Sequence, residues 1–205
     1  MQKRALRPFL HATEEGRSVT SQVLTLVDRF EQLTEHRQGH IMRVVSVMEE
    51  LARRHRLDVE LSRWAGFGHD LAREFRRPNL TLEAERLGVP IREAERKEPL
   101  LLHGPIAAKW LEEAGVGDGS VWQAIRLHTT AGAGMTRLAK ALFVADAVEP
   151  GRSYAHRPHL FELALEDLEQ GYRAVLQDTW TYTLSRHLSL HPNTVQAMME
   201  IQAQG

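Results

Sequence analysis

The segment RQGHIMRVVSVMEELARRHR, at residues 37–56, indicates the fold class of this chain. Its apolar side chains recur at the spacing of one face of an α-helix, at Val44, Val47, Met48 and Leu51. His40 lies one helical turn before Val44, so its imidazole shares the apolar face. The segment therefore predicts a helix that directs a histidine into the protein core.

The rest of the chain has the same helical periodicity on both sides of this segment, without alternating strand patterns. We therefore predict an all-α fold, a helical bundle. The other predicted helices begin at or near Ser18, Asp58, Pro105, Ser120, Thr136, Leu160 and Pro192. The helix from Leu160 is predicted to reach residue 188. Residues 80–98 are charged and weakly periodic, which predicts one or two short surface helices interrupted by Gly88 and Pro90.

The composition excludes several classes of function. The chain has 205 residues with 26 Lys and Arg against 27 Asp and Glu, so it lacks the basic excess of nonspecific DNA-binding proteins. It contains no cysteine, which excludes disulfides, thiolate metal sites and a cysteine nucleophile. The longest apolar run, residues 141–145, is far shorter than the ~20 residues of a membrane span. We expect a cytoplasmic protein that binds neither DNA nor membranes.

Histidine and aspartate side chains fall on the inner faces of the predicted helices. They are His40, His69, Asp70, His103, His128 and Asp146. Burying a carboxylate is costly unless it is paired, hydrogen-bonded or bound to a metal. Neutral imidazoles and carboxylates that converge in a helical bundle suit first-row metals such as iron, manganese or zinc. The remaining histidines are predicted to lie at the surface: His11, His36, His55, His156, His159, His187 and His191.

Five short segments carry a resemblance to a known family. They are RQGH at 37–40, GHD at 68–70, LHGP at 102–105, LHTT at 127–130 and ADAVEPGR at 145–152. In content and order they resemble the HD-domain metal-dependent phosphohydrolases, and within these the bacterial YqeK group, the symmetrical diadenosine tetraphosphate hydrolases. The resemblance covers residues 37–175 and departs from the family pattern at Gly68 and Ala131.

The resemblance implies two metal ions and a substrate site. One ion would be held by His40, His69, Asp70 and Asp146. Asp70 would bridge to a second ion, whose other ligands would be His103 and His128. The implied ions are divalent or trivalent transition metals, iron first and manganese as the alternative. The implied catalytic residues are Asp70, Arg73 and Arg152, and the implied substrate-binding residues are Arg73, Thr129, Thr130 and Arg152.

The implied reaction is hydrolysis of diadenosine tetraphosphate to two ADP, by attack of a metal-bridging hydroxide on a phosphoanhydride phosphorus. Two alternatives stay open: another HD phosphohydrolase acting on nucleotide monophosphates or phosphodiesters, and a non-catalytic regulator that binds nucleotide or metal. The implied partner is a small nucleotide, and a homodimer is left open. The implied organisation is an N-terminal extension and helix at 1–35, an HD-type phosphohydrolase domain at 36–190 and a C-terminal helix or tail at 191–205.

Overall fold

A computed structural model describes residues 21–203, and all regular structure within that range is helical. This confirms the predicted all-α class; the predicted start at Ser18 lies outside the described residues. In chain order the helices are α1 (Ser21–Glu31), α2 (Glu35–His55), α3 (Val59–Gly68), α4 (Arg77–Arg86), α5 (Glu93–Lys97), α6 (His103–Glu113), α7 (Gly119–Leu127), α8 (Arg137–Val148), α9 (Arg157–Glu166), α10 (Leu168–Ser185) and α11 (Pro192–Ala203). A 3₁₀ turn at Pro99–Leu102 joins α5 to α6. Among these helices, none has the combination of length and apolarity that crossing a bilayer requires.

Side-chain caps set where α3 and α7 begin. Asp58 caps α3 as predicted, because its Oδ1 accepts a hydrogen bond from Leu61 N at 2.8 Å. The predicted cap at Ser120 is wrong. Asp118 is the cap of α7, and its Oδ1 accepts from Ser120 N at 2.8 Å and from Val121 N at 3.2 Å.

The single helix predicted over residues 160–188 is two helices, α9 and α10. Asp167 separates them with an extended backbone, at φ −142° and ψ 109°. Its Oδ1 accepts from Glu169 N at 2.8 Å and from Gln170 N at 3.1 Å. An aspartate that bonds to the next backbone N–H groups favours a helix start over a helix interior, which ends α9 and begins α10.

The charged segment 80–98 contains two short helices, as predicted. α4 ends at Arg86 and α5 begins at Glu93, with Gly88 and Pro90 in the loop between them. Gly88 has a φ of +66°, in the left-handed region that glycine adopts without strain.

The helix predicted from residues 37–56 is observed as α2, and it forms the centre of the bundle. Ile41, Val44, Met48 and Leu51 have no exposed surface. Burial stabilises each such side chain by about 1.5–3 kcal/mol. α2 packs against α3 and α8, and α8 packs against α7. This packing brings the C-terminal ends of α3 and α7 and the start of α6 close to His40.

Candidate metal centre

Three donor atoms from three helical segments converge around His40, which lies on α2. His40 Nε2 lies 3.2 Å from His69 Nε2, on the residue that follows α3, and 3.2 Å from Asp146 Oδ1 on α8. Atoms that share one first-row ion at about 2.0–2.1 Å lie about 2.9–3.4 Å apart. The spacing of these three atoms therefore fits a single ion.

A second group of donors lies beside the first. His103, the first residue of α6, and His128, which follows α7, place their Nε2 atoms 3.0 Å apart. Asp70 Oδ1 lies 3.2 Å from His103 Nε2 and 3.7 Å from His128 Nε2. Asp70 Oδ2 lies instead 3.5 Å from His40 Nε2 and 3.6 Å from His69 Nε2. Each oxygen of Asp70 thus faces one of the two groups, as a bridging carboxylate requires.

The other ring nitrogen of each histidine is held by a hydrogen-bond acceptor. The Nδ1 atoms of His69, His103 and His128 lie 2.7, 2.5 and 2.7 Å from the carbonyl oxygens of Gly66, Leu100 and Ile125. A carbonyl oxygen can only accept a hydrogen bond, so in the neutral imidazole Nδ1 carries the proton and Nε2 carries the lone pair. Lone pairs that face each other repel unless a cation lies between them. The donor set therefore fits metal ions, with the ring orientations already fixed.

The protonation states in the site also suit metal binding. Burial lowers the pKa of His69 to about 4 and lowers the pKa of His103, so both imidazoles are neutral at pH 7. The adjacent Asp70 carboxylate raises the pKa of His128 against the effect of burial, so a metal ion that binds its Nε2 would displace a proton. Burial opposes ionisation of Asp70, yet the pKa of this carboxyl lies well below its usual range, and Arg37 Nη1 donates to its Oδ2 at 2.6 Å. Asp70, the candidate bridging carboxylate, is therefore ionised.

Glu149 is a candidate positioning residue to which no sequence pattern assigned a role. It is buried, and its Oε1 accepts from His40 Nδ1 at 3.1 Å. Its Oε2 accepts from Arg43 Nε at 2.5 Å and from Gly151 N at 2.6 Å. These contacts fix the ring of His40 with Nε2 towards the other donors. The ADAVEPGR segment could have identified Glu149, because this residue follows Asp146 by one helical turn.

Glu149→Gln is expected to weaken metal binding about tenfold. Glutamine keeps an acceptor for His40 Nδ1 but loses the charge that pairs with Arg43, and residues that orient metal ligands contribute about 10–100-fold to metal affinity. Competition with a chromophoric chelator measures the effect. Glu50→Gln is the matched control, because Glu50 is an exposed residue on the same helix as His40. Equal affinity in Glu149→Gln and Glu50→Gln would contradict the positioning role.

The donor atoms open into a cavity of about 310 Å³. Asp70, Asp146, His103 and His128 line it, together with Arg37, Arg73, Thr129 and Arg152. Thr129 Oγ1 lies 3.1 Å from His128 Nε2. Thr130 is not brought to this cavity: its hydroxyl donates to Ala131 O at 2.9 Å, and it lines a second cavity described below.

Two arginines bind the carboxylates of the site directly. Arg152 donates from Nη2 to Asp146 Oδ1 at 2.5 Å and from Nε to Asp146 O at 2.9 Å, while its Nε lies 3.9 Å from Glu149 Oε1. Arg37 donates from Nη1 to Asp70 Oδ2 at 2.6 Å. The buried Nε of Arg37 has no hydrogen-bond partner among the described residues. Arg37 precedes His40 by one turn of the same helix, but no sequence pattern assigned it a role.

The class of this protein follows from the bundle and its paired donor groups. The family model described as "HD domain" matches residues 37–151, which contain all six candidate ligands. The match covers more than half of the chain. The chain belongs to the HD-domain family and is a metal-dependent hydrolase.

Comparison with curated relatives identifies the group within the family to which this chain belongs. A Bacillus subtilis protein named "Bis(5'-nucleosyl)-tetraphosphatase, symmetrical" is 32% identical over 165 residues, which cover 80% of this chain and 88% of that protein. A Halalkalibacterium halodurans protein of the same name is 32% identical over 170 residues, covering 80% and 87%. The crystal structure of a "predicted HD superfamily hydrolase involved in NAD metabolism" from Clostridium acetobutylicum is also similar, with a TM-score of 0.83, 27% identity and coverage of 88% and 97%. Within the HD-domain family, this chain belongs to the group of the symmetrical bis(5'-nucleosyl)-tetraphosphatases.

Proposed function

We propose that this protein hydrolyses diadenosine tetraphosphate symmetrically, giving two ADP. The names of the relatives support the substrate class, and one structural observation carries the proposal. Arg37, Arg73 and Arg152 lie in the same cavity as the bridging carboxylate Asp70. A tetraphosphate brings several negative charges to the reacting phosphorus, and guanidinium groups are suited to bind phosphate through two hydrogen bonds at once.

Different residues of the site would bind the metal ions and the phosphates of the substrate. His40, His69, Asp70 and Asp146 would hold one transition metal, and Asp70, His103 and His128 a second, iron first and manganese as the alternative. When bound, two such ions supply an activated water and Lewis-acid stabilisation of the oxygens around phosphorus. Arg73 and Arg152 neutralise charge on the phosphates, and the unpartnered Nε of Arg37 provides a further donor at the cavity. The hydroxyl of Thr129, at the cavity wall, orients a phosphate oxygen.

We expect two transition-metal ions per chain. Elemental analysis of protein prepared without chelator, and after reloading with iron or manganese, measures the content. His103→Ala is expected to retain one ion, because His103 belongs to one donor group only. The control is His36→Ala, at an exposed histidine on α2. Less than about a tenth of an equivalent in the reloaded wild type would contradict the centre, since all six ligands favour binding of metal to the folded state.

Product analysis tests the reaction itself. Metal-loaded protein is incubated with diadenosine tetraphosphate in ¹⁸O-labelled water, and the nucleotides are separated and weighed by mass spectrometry. Symmetrical cleavage gives ADP alone, with one ¹⁸O in one of the two ADP molecules formed from each substrate. AMP and ATP, or phosphate from a mononucleotide, would indicate a different HD phosphohydrolase. Metal binding without turnover would indicate a regulator.

A further inference from the structure

A second cavity, of about 350 Å³, lies outside the metal centre. It follows one face of α6, where Pro105, Ala108 and Lys109 form one wall, and the α4–α5 loop forms the other. Leu87, Val89 and Leu127 add apolar surface. Its size and mixed lining are those of small-molecule sites, which are mostly apolar with a few polar groups.

Buried polar contacts hold the walls of this cavity together. His191 was predicted to lie at the surface, but it is buried, and its Nε2 donates to Glu95 Oε1 at 3.1 Å. Its Nδ1 accepts from Asn193 N at 3.1 Å, which places the ring proton on Nε2. Thr194 Oγ1 donates to Thr130 O at 2.7 Å. These hydrogen bonds connect the start of α11 both to α5 and to the segment that follows α7. They hold the walls of the cavity in place.

Two of the three basic side chains that line this cavity have no acidic partner in the described part of the chain, and its two carboxylates, Glu95 and Glu112, are paired with His191 and Lys109. Lys109 pairs with Glu112 at 2.8 Å, but Arg92 and Arg126 form no ion pair with any residue in the described range 21–203. Both side chains are exposed and line the cavity. Apolar walls combined with free guanidinium groups suit a ligand that has a flat apolar ring and an anionic tail. A nucleoside diphosphate unit has this chemistry.

The second cavity adjoins the metal-centre cavity. Leu101 lines both, and the consecutive residues Thr129 and Thr130 line one each. The two cavities also lie on the same helix, because His103 begins α6 and the second cavity follows that helix towards Glu112. The two cavities therefore meet at Leu101.

We propose that the second cavity binds the second nucleoside diphosphate unit of a dinucleoside polyphosphate, while the first unit lies with the reacting phosphates in the metal-centre cavity. This inference rests on the proposed function and assigns its substrate a second site. A symmetrical substrate presents two identical halves on either side of the bond that is cleaved. Two adjacent cavities, each with its own guanidinium groups, match that symmetry.

Calorimetric titration of the metal-loaded protein with ADP tests the inference without turnover. The wild type is expected to bind two ADP per chain and Arg126→Glu one. With diadenosine tetraphosphate as substrate, Arg126→Glu should raise KM about tenfold, the effect of losing one charge-assisted hydrogen bond, with kcat within about twofold. Arg96→Glu is the matched control, since Arg96 is exposed on α5 and does not line the cavity. It should bind two ADP with the KM of the wild type.

The outcomes separate this inference from the proposed function. One ADP per chain in the wild type, or two in Arg126→Glu with an unchanged KM, would overturn the second site. Two ADP in the wild type and one in Arg126→Glu, without any hydrolysis of the tetraphosphate, would overturn the proposed function and support the second site.

Discussion

Asp70→Ala is expected to reduce hydrolysis of diadenosine tetraphosphate by at least about a thousandfold, which corresponds to about 4 kcal/mol of transition-state stabilisation. Among the described residues, Asp70 is the one side chain whose two oxygens face both donor groups, at 3.2 Å from His103 Nε2 and 3.5 Å from His40 Nε2. Its loss removes a ligand from each group at once. Single-turnover assays measure the rate, and elemental analysis of the same samples measures the metal content, which is expected to fall as well.

The stability of Asp70→Ala depends on two opposing effects. The substitution removes a buried carboxylate, which relieves a desolvation cost, but it leaves the guanidinium of Arg37 without its partner at 2.6 Å. Metal binding separates these effects, because a ligand at a hundred times its Kd stabilises a folded protein by about 2.7 kcal/mol. The wild type is therefore expected to gain a higher Tm on metal loading, and Asp70→Ala to gain less. Asp28→Ala, at an exposed aspartate of α1, is the control. Wild-type turnover in Asp70→Ala would reject the bridging role.

The inward positions of His40 and Asp146 could be predicted from the sequence because the periodicity that places them is local. His40 lies on the apolar face of α2, and Asp146 lies on the apolar face of α8. Each side chain therefore points inward, however the two helices pack against their neighbours. The pairing of Asp70 between two groups was implied only by the resemblance. Nothing in the periodicity of α3 specifies how its end meets the starts and ends of other helices.

Contacts between residues that are far apart in the chain could not be predicted from helical periodicity. Arg43 and Glu149 lie 106 positions apart and meet because α2 crosses α8. A sequence pattern places each of them on a helix but does not give the crossing. His191 shows the same limit: it stands in a polar stretch before α11, and it is buried beside Glu95, which lies 96 positions earlier in the chain.

Arg152→Ala is expected to lower kcat/KM for diadenosine tetraphosphate by about ten- to a hundredfold. One charge-assisted hydrogen bond contributes about 1.5–3 kcal/mol, and 1.4 kcal/mol corresponds to about a tenfold change. The structure argues against a purely surface role. The guanidinium is held against Asp146 through both its carboxylate and its carbonyl oxygen, and its side chain is 41% exposed at the metal-centre cavity. Arg152→Lys, which keeps the charge but loses the planar fork, should show an intermediate loss. Arg96→Ala, at an exposed residue that does not line the cavity, should show none.

The contact with Asp146 gives Arg152 two ways to act, and metal dependence distinguishes them. If Arg152 binds phosphate directly, Arg152→Ala stays impaired at saturating metal and keeps its full metal content. If Arg152 acts by orienting Asp146, metal affinity falls instead, and excess metal restores kcat/KM, because a ligand-positioning defect is a defect in binding. Steady-state assays across a metal titration therefore decide between the two. We expect the first result, since Asp146 Oδ1 faces His40 Nε2 at 3.2 Å from α8, a helix that is packed against α2, α7 and α10. Recovery of wild-type kcat/KM at high metal concentration would assign Arg152 to the metal centre and remove it from the substrate site.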